Sequence, residues 1–361
     1  MFKKITLFHP YIPKNAIKAV NNTLKSRWLG QGPKVSEFEN LWEEKISSSH
    51  KAVAVGSGSN ALHLAYILAG VREGDEVIAP IFTYHGANIA LLYQKAKIIF
   101  ADVEKDSLNI DPADIARKIT PRTKAIVVVH YGGVPCDMDR IQTIASKYKI
   151  PIIEDAAYGV GVVYKGKKVG RISDFTCFSF QAVKMIAMGS GGMLTIKNPK
   201  LLPRAKKLRS FGLEKTSKLE DRWNNDIAEI GYRYEMTDIM ATLGIEALKV
   251  FSKTLKHYKE LSDTYKKELK NVTGINYIGG VSLCVILVEK PEELKKRLAE
   301  HGIESGQVDY RNDRYSVFGG RVKNCPNMDA LENKYLVLPM HYHLQKKDIL
   351  HICQIIKGKT K

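Results

Sequence analysis

Cysteine is scarce in this chain, and the few thiols present form no recognisable pattern. The 361 residues include 5 cysteines, which are scattered and odd in number. None forms a C-x-x-C pair, so neither a zinc ribbon nor a disulfide framework is predicted, and no metal site is expected. Thiols kept reduced inside a cell are the simpler interpretation.

Long apolar runs are also missing, although 44% of the residues are hydrophobic. No run approaches the roughly 20 residues needed to cross a bilayer. The first residues, MFKKITLFHPYIPK, are basic but lack an apolar centre and a small-residue cleavage site, so no signal peptide is predicted. These absences favour a globular cytoplasmic protein without a membrane partner.

Acidic residues are outnumbered, with 38 Asp and Glu against 56 Lys and Arg and a formal net charge of +18. Such an excess suits nucleic acid, an acidic membrane surface or a phosphorylated small molecule. The lysines are spread along the chain and accompany no nucleic-acid-binding motif. We therefore interpret them as a solvated basic surface, do not expect nucleic acid as a partner, and note that an anionic substrate would benefit from the same charge.

Short apolar strands alternate with helices from residue 51 onward. The predicted strands are 52–55, 76–79, 97–101, 125–129 and 150–153. Helices are predicted between them, and two amphipathic helices precede them, the first with Ile17, Val20 and Leu24 at helical spacing. Unalternated β-branched strands separated by helices are typical of a largely parallel sheet covered on both faces.

The pattern changes near residue 243, where a Lys-rich helix (248–269) precedes weak strands and further helices. We predict an α/β fold in which residues 1–245 form a helical lead-in and a large domain with a mostly parallel sheet. Residues 246–361 form a smaller α+β domain. Ligands of such sheets bind beyond the carboxyl ends of the strands, so the residues after each strand are candidates for a site.

Small residues follow the first predicted strand and lead into a helix, in the sequence GSGSN (56–60). The free N–H groups of a helix N-terminus suit a phosphate. Gly58 would let the backbone approach closely, and Ser59 would add a hydroxyl. A plain serine N-cap explains the pattern equally well.

Three other residues after strands have chemical potential. Tyr84 could cover a flat ring, although such an aromatic is more often part of a core. Asp155 ends the strand PIIED and either holds a proton on a ring nitrogen, forms a salt bridge or caps a helix. Lys184, in TCFSFQAVKMIAMGSGG (176–192), is either a solvated lysine or an amine that forms a Schiff base. Together with a phosphate cradle, these are the groups that pyridoxal phosphate needs.

The set of motifs resembles the DegT/DnrJ/StrS group of pyridoxal-phosphate-dependent sugar aminotransferases, which have the fold type I architecture. The resemblance extends from about Ile5 to Leu344. It rests most strongly on GSGSNALHLA (56–65), APIFTYHGAN (79–88), EDAAYG (154–159), FSFQAVK (178–184) and GSGG (189–192).

The resemblance implies a homodimer with active sites at the interface and a role for each matching residue. Lys184 would bond pyridoxal 5′-phosphate and carry the proton, Asp155 would pair with the pyridine nitrogen, and Tyr84 would stack on the ring. The remaining implied cofactor contacts are Gly58, Ser59, Asn60 and Ser179 at the phosphate, Tyr158 near the 3′-oxygen, and Arg233 from the partner subunit.

Four positions depart from the usual residues of this group. Tyr158 stands in place of Gln or His, Gln181 in place of His, Ser190 in place of Glu, and Arg233 in place of Asn. Arginine can still bind phosphate, in bidentate fashion, and tyrosine can still donate a hydrogen bond. The departures leave the imine chemistry intact. They prevent a precise assignment of the substrate.

Substrate contacts are implied in two loops. The candidates are Trp28 and Gln31 in the lead-in, and Tyr310, Arg311 and Arg314 in the small domain. A solvated loop is an equally good interpretation of the second set. We expect the amino group to pass from L-glutamate to a nucleoside-diphosphate-linked keto sugar, with a 4-keto-6-deoxyhexose preferred.

Two alternatives remain. One is a pyridoxal-phosphate-dependent sugar dehydratase, although in sequences resembling that subclass a histidine replaces the lysine. The other is a cofactor-binding regulator without turnover that uses its basic surface to bind nucleic acid.

Overall fold

A seven-stranded sheet lies at the centre of the computed structural model, which describes residues 4–214 and 226–358. The strands are β1 (Lys51–Val55), β2 (Glu76–Pro80), β3 (Phe82–Thr83), β4 (Lys97–Ala101), β5 (Thr123–Val129), β6 (Ile152–Asp155), β7 (Val163–Tyr164), β8 (Lys167–Lys168), β9 (Phe175–Ser179), β10 (Gly192–Ile196), β11 (Ile275–Tyr277), β12 (Cys284–Val288), β13 (Tyr310–Arg311) and β14 (Tyr335–Leu338). The α-helices are α1 (Lys14–Leu24), α2 (Pro33–Trp42), α3 (Gly58–Leu68), α4 (Gly86–Leu92), α5 (Pro112–Lys118), α6 (Met138–Tyr148), α7 (Leu202–Arg209), α8 (Asp238–Leu269), α9 (Pro291–Glu300), α10 (Pro326–Leu331) and α11 (Lys346–Ile356).

The strand order of the large sheet is β1-β10-β9-β6-β5-β2-β4. Strand β10 runs antiparallel to both of its neighbours, and every other neighbouring pair is parallel. The predicted mostly parallel sheet is therefore confirmed. Each of the five strands predicted in this sheet matches an observed strand to within two residues at both ends.

Both faces of the sheet are buried, which explains why its strands show no polar alternation. In β1, Val53 and Val55 belong to the apolar cluster that includes α3 and α7, whereas Ala52 and Ala54 belong to the cluster on the opposite side. Helices on the two faces thus cover successive residues of one strand, and each of these residues must be apolar.

The lead-in helix α1 forms as predicted, but its predicted apolar residues do not mark its packed face. The side chains of Ile17 and Leu24 are 74% and 52% exposed. Ala16 and Thr23 are buried instead, and the Thr23 hydroxyl lies 2.8 Å from that of Thr242 in α8. Small side chains allow the close approach of α1 to α8, which hydropathy alone does not reveal.

Helix α8 begins ten residues before the predicted start and contains 32 residues. The predicted domain boundary between residues 245 and 246 thus falls inside it, and the division into two domains stays a prediction. Gly244 permits tight packing on α2, because an added Cβ would lie 2.7 Å from Phe38 Cε2. A glycine lowers helix propensity, which explains why the helix start was not predicted.

One buried carboxylate joins the starts of α8 and α2. Asp238 is 1% exposed and accepts hydrogen bonds from the backbone N–H groups of Gly32, Lys34 and Val35, at 2.8, 3.1 and 3.2 Å. These N–H groups lie at the start of α2, where no earlier helical carbonyl can accept them. The carboxylate therefore fixes the lead-in loop against α8.

Two long-range contacts tie the C-terminal part of the chain to the large sheet. Strand β13 pairs antiparallel with β3 and thereby brings residues 309–311 beside the end of β2. At the other end of the chain, Ile5 forms a bridge with Ile303, and the Leu7 N–H donates to Glu304 at 3.1 Å. The rest of the C-terminal part is the antiparallel sheet β11-β12-β14 with its helices.

Substitution of the capping carboxylate tests this account of the lead-in. Asp238→Ala should lower the free energy of unfolding by about 2 kcal/mol, because one buried and two partly buried N–H groups lose their acceptor. Urea denaturation measures the change. Asp139→Ala is the control, since Asp139 forms an exposed ion pair with Lys165, and should leave the midpoint nearly unchanged. Equal effects of the two substitutions would contradict the capping role.

Candidate active site

The N-terminus of α3 forms one wall of a cavity at the carboxyl edge of the sheet. The hydroxyl of Ser57 accepts the Asn60 N–H at 3.1 Å and caps the helix. Gly58 lies directly against Ser179 at the end of β9, since an added Cβ would lie 2.9 Å from the Ser179 Cβ. The close approach brings a helix N-terminus and hydroxyl groups together, which suits a phosphate.

The glycine-rich turn 189–192 packs against the same helix start. The Ser190 hydroxyl donates to the Gly56 carbonyl at 2.7 Å. An added Cβ at Gly192 would lie 2.3 Å from the Ser57 carbonyl oxygen, so no larger residue fits there. Serine at position 190 thus holds the turn against the start of α3, so this predicted departure has a structural role.

The two acidic residues that end β6 have separate roles. Glu154 is fully buried, and its carboxylate accepts hydrogen bonds from His130 Nε2 at 2.6 Å and the Thr176 hydroxyl at 3.0 Å. Asp155 points to the opposite side, lines the cavity, and accepts the Ala157 N–H at 3.0 Å. Burial raises the pKa of the Asp155 carboxyl, and the Ala157 N–H partly offsets this.

Lys184 lies in the loop between β9 and β10, and its side chain turns into the cavity. Its Nζ is 3.4 Å from the centroid of the Tyr158 ring. Burial lowers the pKa of the amine to about 8, although Asp309 and Asp155 act in the opposite direction. A desolvated amine of this kind is a nucleophile near neutral pH, unlike a solvated surface lysine.

Tyr84 lines the cavity and is partly open to solvent. Its side chain is 55% exposed, and its ring is tilted against that of His85 with 4.3 Å between centroids. Gly86 leaves room for the ring, because an added Cβ would lie 2.7 Å from Tyr84 Cε1 and 3.2 Å from the Ser59 hydroxyl. The aromatic ring and the phosphate cradle are therefore neighbours.

The cavity has a volume of about 390 Å³, within the range of small-molecule sites. It brings together most of the cofactor residues that the sequence predicts: Gly58, Ser59, Tyr84, Asp155, Tyr158, Ser179 and Lys184. Pyridoxal phosphate fits this set, because a helix N-terminus, a buried carboxylate and a desolvated amine face one space. Gln181 and Ser190 also line the cavity.

Two predicted cofactor residues do not line the cavity in the described part of this chain. The Asn60 side chain lies beside Gly56 instead, where an added Cβ would be 3.2 Å from its Oδ1. Arg233 is exposed on a segment that runs past Gly56, whose N–H donates to the Tyr234 carbonyl at 2.8 Å. A contact of Arg233 with a partner's phosphate stays a prediction.

Arg311, which the resemblance implies as a substrate contact, lies in the interior of the C-terminal part. Its side chain is fully buried, and its guanidinium forms ion pairs with Asp313 at 2.6 Å, with Asp329, and with Glu332 at 3.6 Å. Three carboxylates surround the guanidinium in the interior, and the side chain has no exposed surface with which to meet a sugar or a diphosphate. The ion pairs of Arg311 thus support the loop, and a substrate contact at this position stays a prediction.

The other predicted substrate residues lie outside the cavity wall. Arg314 lies over the Tyr310 ring, 4.3 Å from its centroid, in the same loop. Trp28 lines a separate groove between α1, α2 and α8, and Gln31 is half-buried in the loop before α2. Their contact with a substrate stays a prediction.

The sequence reasoning missed Asp309 and Phe8, which both line the cavity. Asp309 reaches it through the pairing of β13 with β3, and Phe8 through the bridge of the N-terminal segment to residue 303. Both contacts join residues far apart in the chain. The only sequence signal for Asp309 was its position in VDYRND (308–313), directly before the predicted substrate contacts Tyr310 and Arg311.

Two other features are absent from the described residues, 4–214 and 226–358. No group of three His, Cys, Asp or Glu side chains there is arranged to hold a metal ion. No described helix combines the length and the apolar character that a membrane crossing requires.

Comparison with known proteins matches almost the whole chain to one family. The model of the DegT/DnrJ/EryC1/StrS aminotransferase family matches residues 10–357. GDP-perosamine synthase of Escherichia coli O157:H7 is 32% identical, with 98% of each chain covered. UDP-4-amino-4,6-dideoxy-N-acetyl-beta-L-altrosamine transaminase of Campylobacter jejuni subsp. jejuni serotype O:23/36 is 37% identical, with 95% of this chain and 94% of its own covered.

A solved structure agrees with the sequence relatives. The putative sugar aminotransferase Spr1654 from Streptococcus pneumoniae, in its PMP form, superposes with a TM-score of 0.92 at 28% identity, and 98% of each chain is covered. Its PLP form gives the same TM-score of 0.92. The predicted family, the predicted fold class and the pyridoxal phosphate cofactor are confirmed.

Covalent trapping tests which amine bonds the cofactor. After incubation with pyridoxal phosphate and reduction with borohydride, peptide mass spectrometry should place the added mass on Lys184, because burial leaves its amine partly unprotonated near neutral pH. Lys184→Ala should abolish the label, whereas Lys149→Ala, an exposed lysine, should retain it. Labelling of Lys184→Ala at the wild-type level would contradict the assignment.

Proposed function

Because the chain belongs to the DegT/DnrJ/EryC1/StrS aminotransferase family, we propose that it transfers an amino group from L-glutamate to a nucleoside-diphosphate-linked keto sugar. One observation carries the proposal: the desolvated amine of Lys184 shares a cavity with Asp155 and the N-terminus of α3. The names of the relatives support a nucleotide-linked substrate. A 4-keto-6-deoxyhexose is the preferred acceptor, since the Campylobacter relative is named for a 4-amino-4,6-dideoxy sugar.

The chain's own residues divide the work between binding and proton transfer. Bound pyridoxal phosphate supplies an electron sink for the carbon that loses its proton. Lys184 Nζ, with a pKa of about 8, can accept and release that proton near neutral pH. Asp155 would keep the ring nitrogen protonated, and Tyr84 would cover the ring face.

Other groups of the chain would bind the cofactor phosphate and attract the anionic substrates. The free N–H groups of α3 with the Ser59 and Ser179 hydroxyls would hold the cofactor phosphate. The net charge of +18 would favour the approach of glutamate and a nucleotide sugar, which are both anionic.

We further propose a homodimer in which the sites lie at the interface. Ile17, Leu24 and Ile230 are large apolar side chains that are 74%, 52% and 81% exposed, and their burial against a second copy of the chain would stabilise a dimer. Arg233 lies three residues after Ile230 and is exposed as well. It would then complete the phosphate site of the partner.

The two alternatives are less well supported. A dehydratase of the same fold is disfavoured by the intact Lys184 amine in the cavity. A regulator without turnover would leave a desolvated amine and a buried carboxylate without a use, and salt-dependent nucleic-acid binding without cofactor absorbance would favour it.

Spectroscopy with the two substrates tests transamination. Glutamate should remove the visible absorbance of the cofactor-loaded protein, and a keto nucleotide sugar should restore it, because the two half-reactions share one site. Lys184→Ala should lower turnover by about 10²–10⁴-fold or more, the size expected for loss of an acid–base group. UDP-, GDP- and dTDP-linked keto sugars, with mass analysis of the products, identify the acceptor. Full turnover by Lys184→Ala would contradict the proposal.

Complementation between two inactive variants tests the shared site. Lys184→Ala and Arg233→Ala chains, co-expressed with different tags and purified as mixed dimers, should regain one active site per dimer. That site combines Lys184 of one subunit with Arg233 of the other. If Arg233 served its own subunit, both sites of the mixed dimer would be defective and no activity would return.

A further inference from the structure

Asp309 is a buried carboxylate in the cavity wall that the mechanism above does not use. Its side chain lines the cavity and is 4% exposed. It directly precedes β13, whose pairing with β3 fixes its backbone. Its carbonyl oxygen also accepts a hydrogen bond from the hydroxyl of the fully buried Tyr335. The carboxylate is therefore held in place and does not belong to a mobile surface loop.

One side chain connects Asp309 to the reactive amine. The Tyr158 hydroxyl donates to Asp309 Oδ2 at 3.5 Å, a long hydrogen bond. The ring of the same tyrosine lies 3.4 Å, measured to its centroid, from Lys184 Nζ. The carboxylate holds the hydroxyl end of the ring, and the ammonium form of the lysine is attracted to the ring face.

The charge of Asp309 also reaches the amine directly. Asp309 raises the pKa of Lys184 more than Asp155 does, although burial lowers it overall. Burial raises the pKa of Asp309 itself to about 6, and Lys184 acts against this shift. Above that pH the carboxylate is an anion and favours the protonated amine, whereas below it the carboxyl is neutral and this support is lost.

We propose that Asp309 is a positioning residue that holds the Tyr158 ring against the Lys184 amine and, as an anion, helps to keep the proton on that amine. The inference deepens the proposed function and rests on it, because this amine bonds the cofactor and moves the proton. Tyr158, a departure from the family's usual Gln or His, then works as a pair with Asp309.

The protonation of Lys184 can be measured without cofactor, substrate or turnover. Trace acetylation of the cofactor-free protein over a range of pH, followed by peptide mass spectrometry, gives the midpoint of the Lys184 titration. Asp309→Asn should lower this midpoint by about one pH unit, as expected when an opposite charge near an amine is removed. Asp309→Glu, which keeps the charge, is the matched control and should stay close to the wild type.

A second substitution tests the hydrogen bond from the Tyr158 hydroxyl to Asp309. Tyr158→Phe keeps the ring but removes the donor to Asp309, and should lower the midpoint by less than Asp309→Asn. An unchanged midpoint in Asp309→Asn overturns the proposal. An unchanged midpoint in Tyr158→Phe overturns the positioning role, and equal shifts in Asp309→Asn and Asp309→Glu overturn the role of the charge.

Two controls keep the test decisive. Circular dichroism checks the fold of each variant. If Asp309→Asn does not fold, the wild-type curve decides, because the labelling rate should show a second inflection near pH 6, where Asp309 takes up its proton. A curve with a single step overturns the proposal. Since no turnover is measured, a negative result here leaves transamination standing, and failed transamination leaves the Asp309–Lys184 link standing.

Discussion

Removal of one amine from water is the constraint on which the site depends. Burial brings the pKa of Lys184 down to about 8, and a buried cation without compensation would cost much more than the fold can offset. The surrounding residues supply that compensation in two ways, with the aromatic face of Tyr158 and with the carboxylates of Asp155 and Asp309. The amine thus stays reactive without becoming a source of instability.

Close backbone approach is the second requirement of the site. The glycines at positions 58 and 192 let the start of α3, the end of β9 and the start of β10 touch where any side chain would collide. Ser190 then fastens the turn through its hydrogen bond to Gly56. The shape of the cradle comes from missing side chains as much as from those present.

Much of the fold and of the cofactor site could be predicted from the sequence, because the signals are local. A buried parallel strand is a continuous apolar run, and the residues after it lie at the ligand-binding edge of the sheet. This is why Lys184, Asp155 and Ser59 could be predicted together. The sequence could not distinguish the roles of the two acids of PIIED. Because successive side chains of β6 point to opposite faces, Glu154 contacts His130 and Asp155 lines the cavity.

The features that the sequence did not predict depend on contacts between distant parts of the chain. Arg311 was expected to bind a ligand, but Asp329 and Glu332 in a later segment hold its guanidinium in the interior. Asp309 was missed because a two-residue strand, β13, brings it to the cavity. The side of α1 that packs against α8 could not be predicted, because small residues, and not large ones, form it. A sequence pattern carries little information about such pairings.

The bridge between Ile5 and Ile303 has a consequence for the order of events during synthesis. Phe8 lines the cavity from a segment that is held by residues almost 300 positions later, since the bond from Leu7 to Glu304 spans 297 residues. Contacts of such separation form late, because closure of the loop must precede any gain from them. Residues 5–8 thus reach their place only after residues 303 and 304 have been made. The pocket wall that Phe8 forms stays open until then, so a chain cut before residue 303 has no complete pocket in which to hold a cofactor.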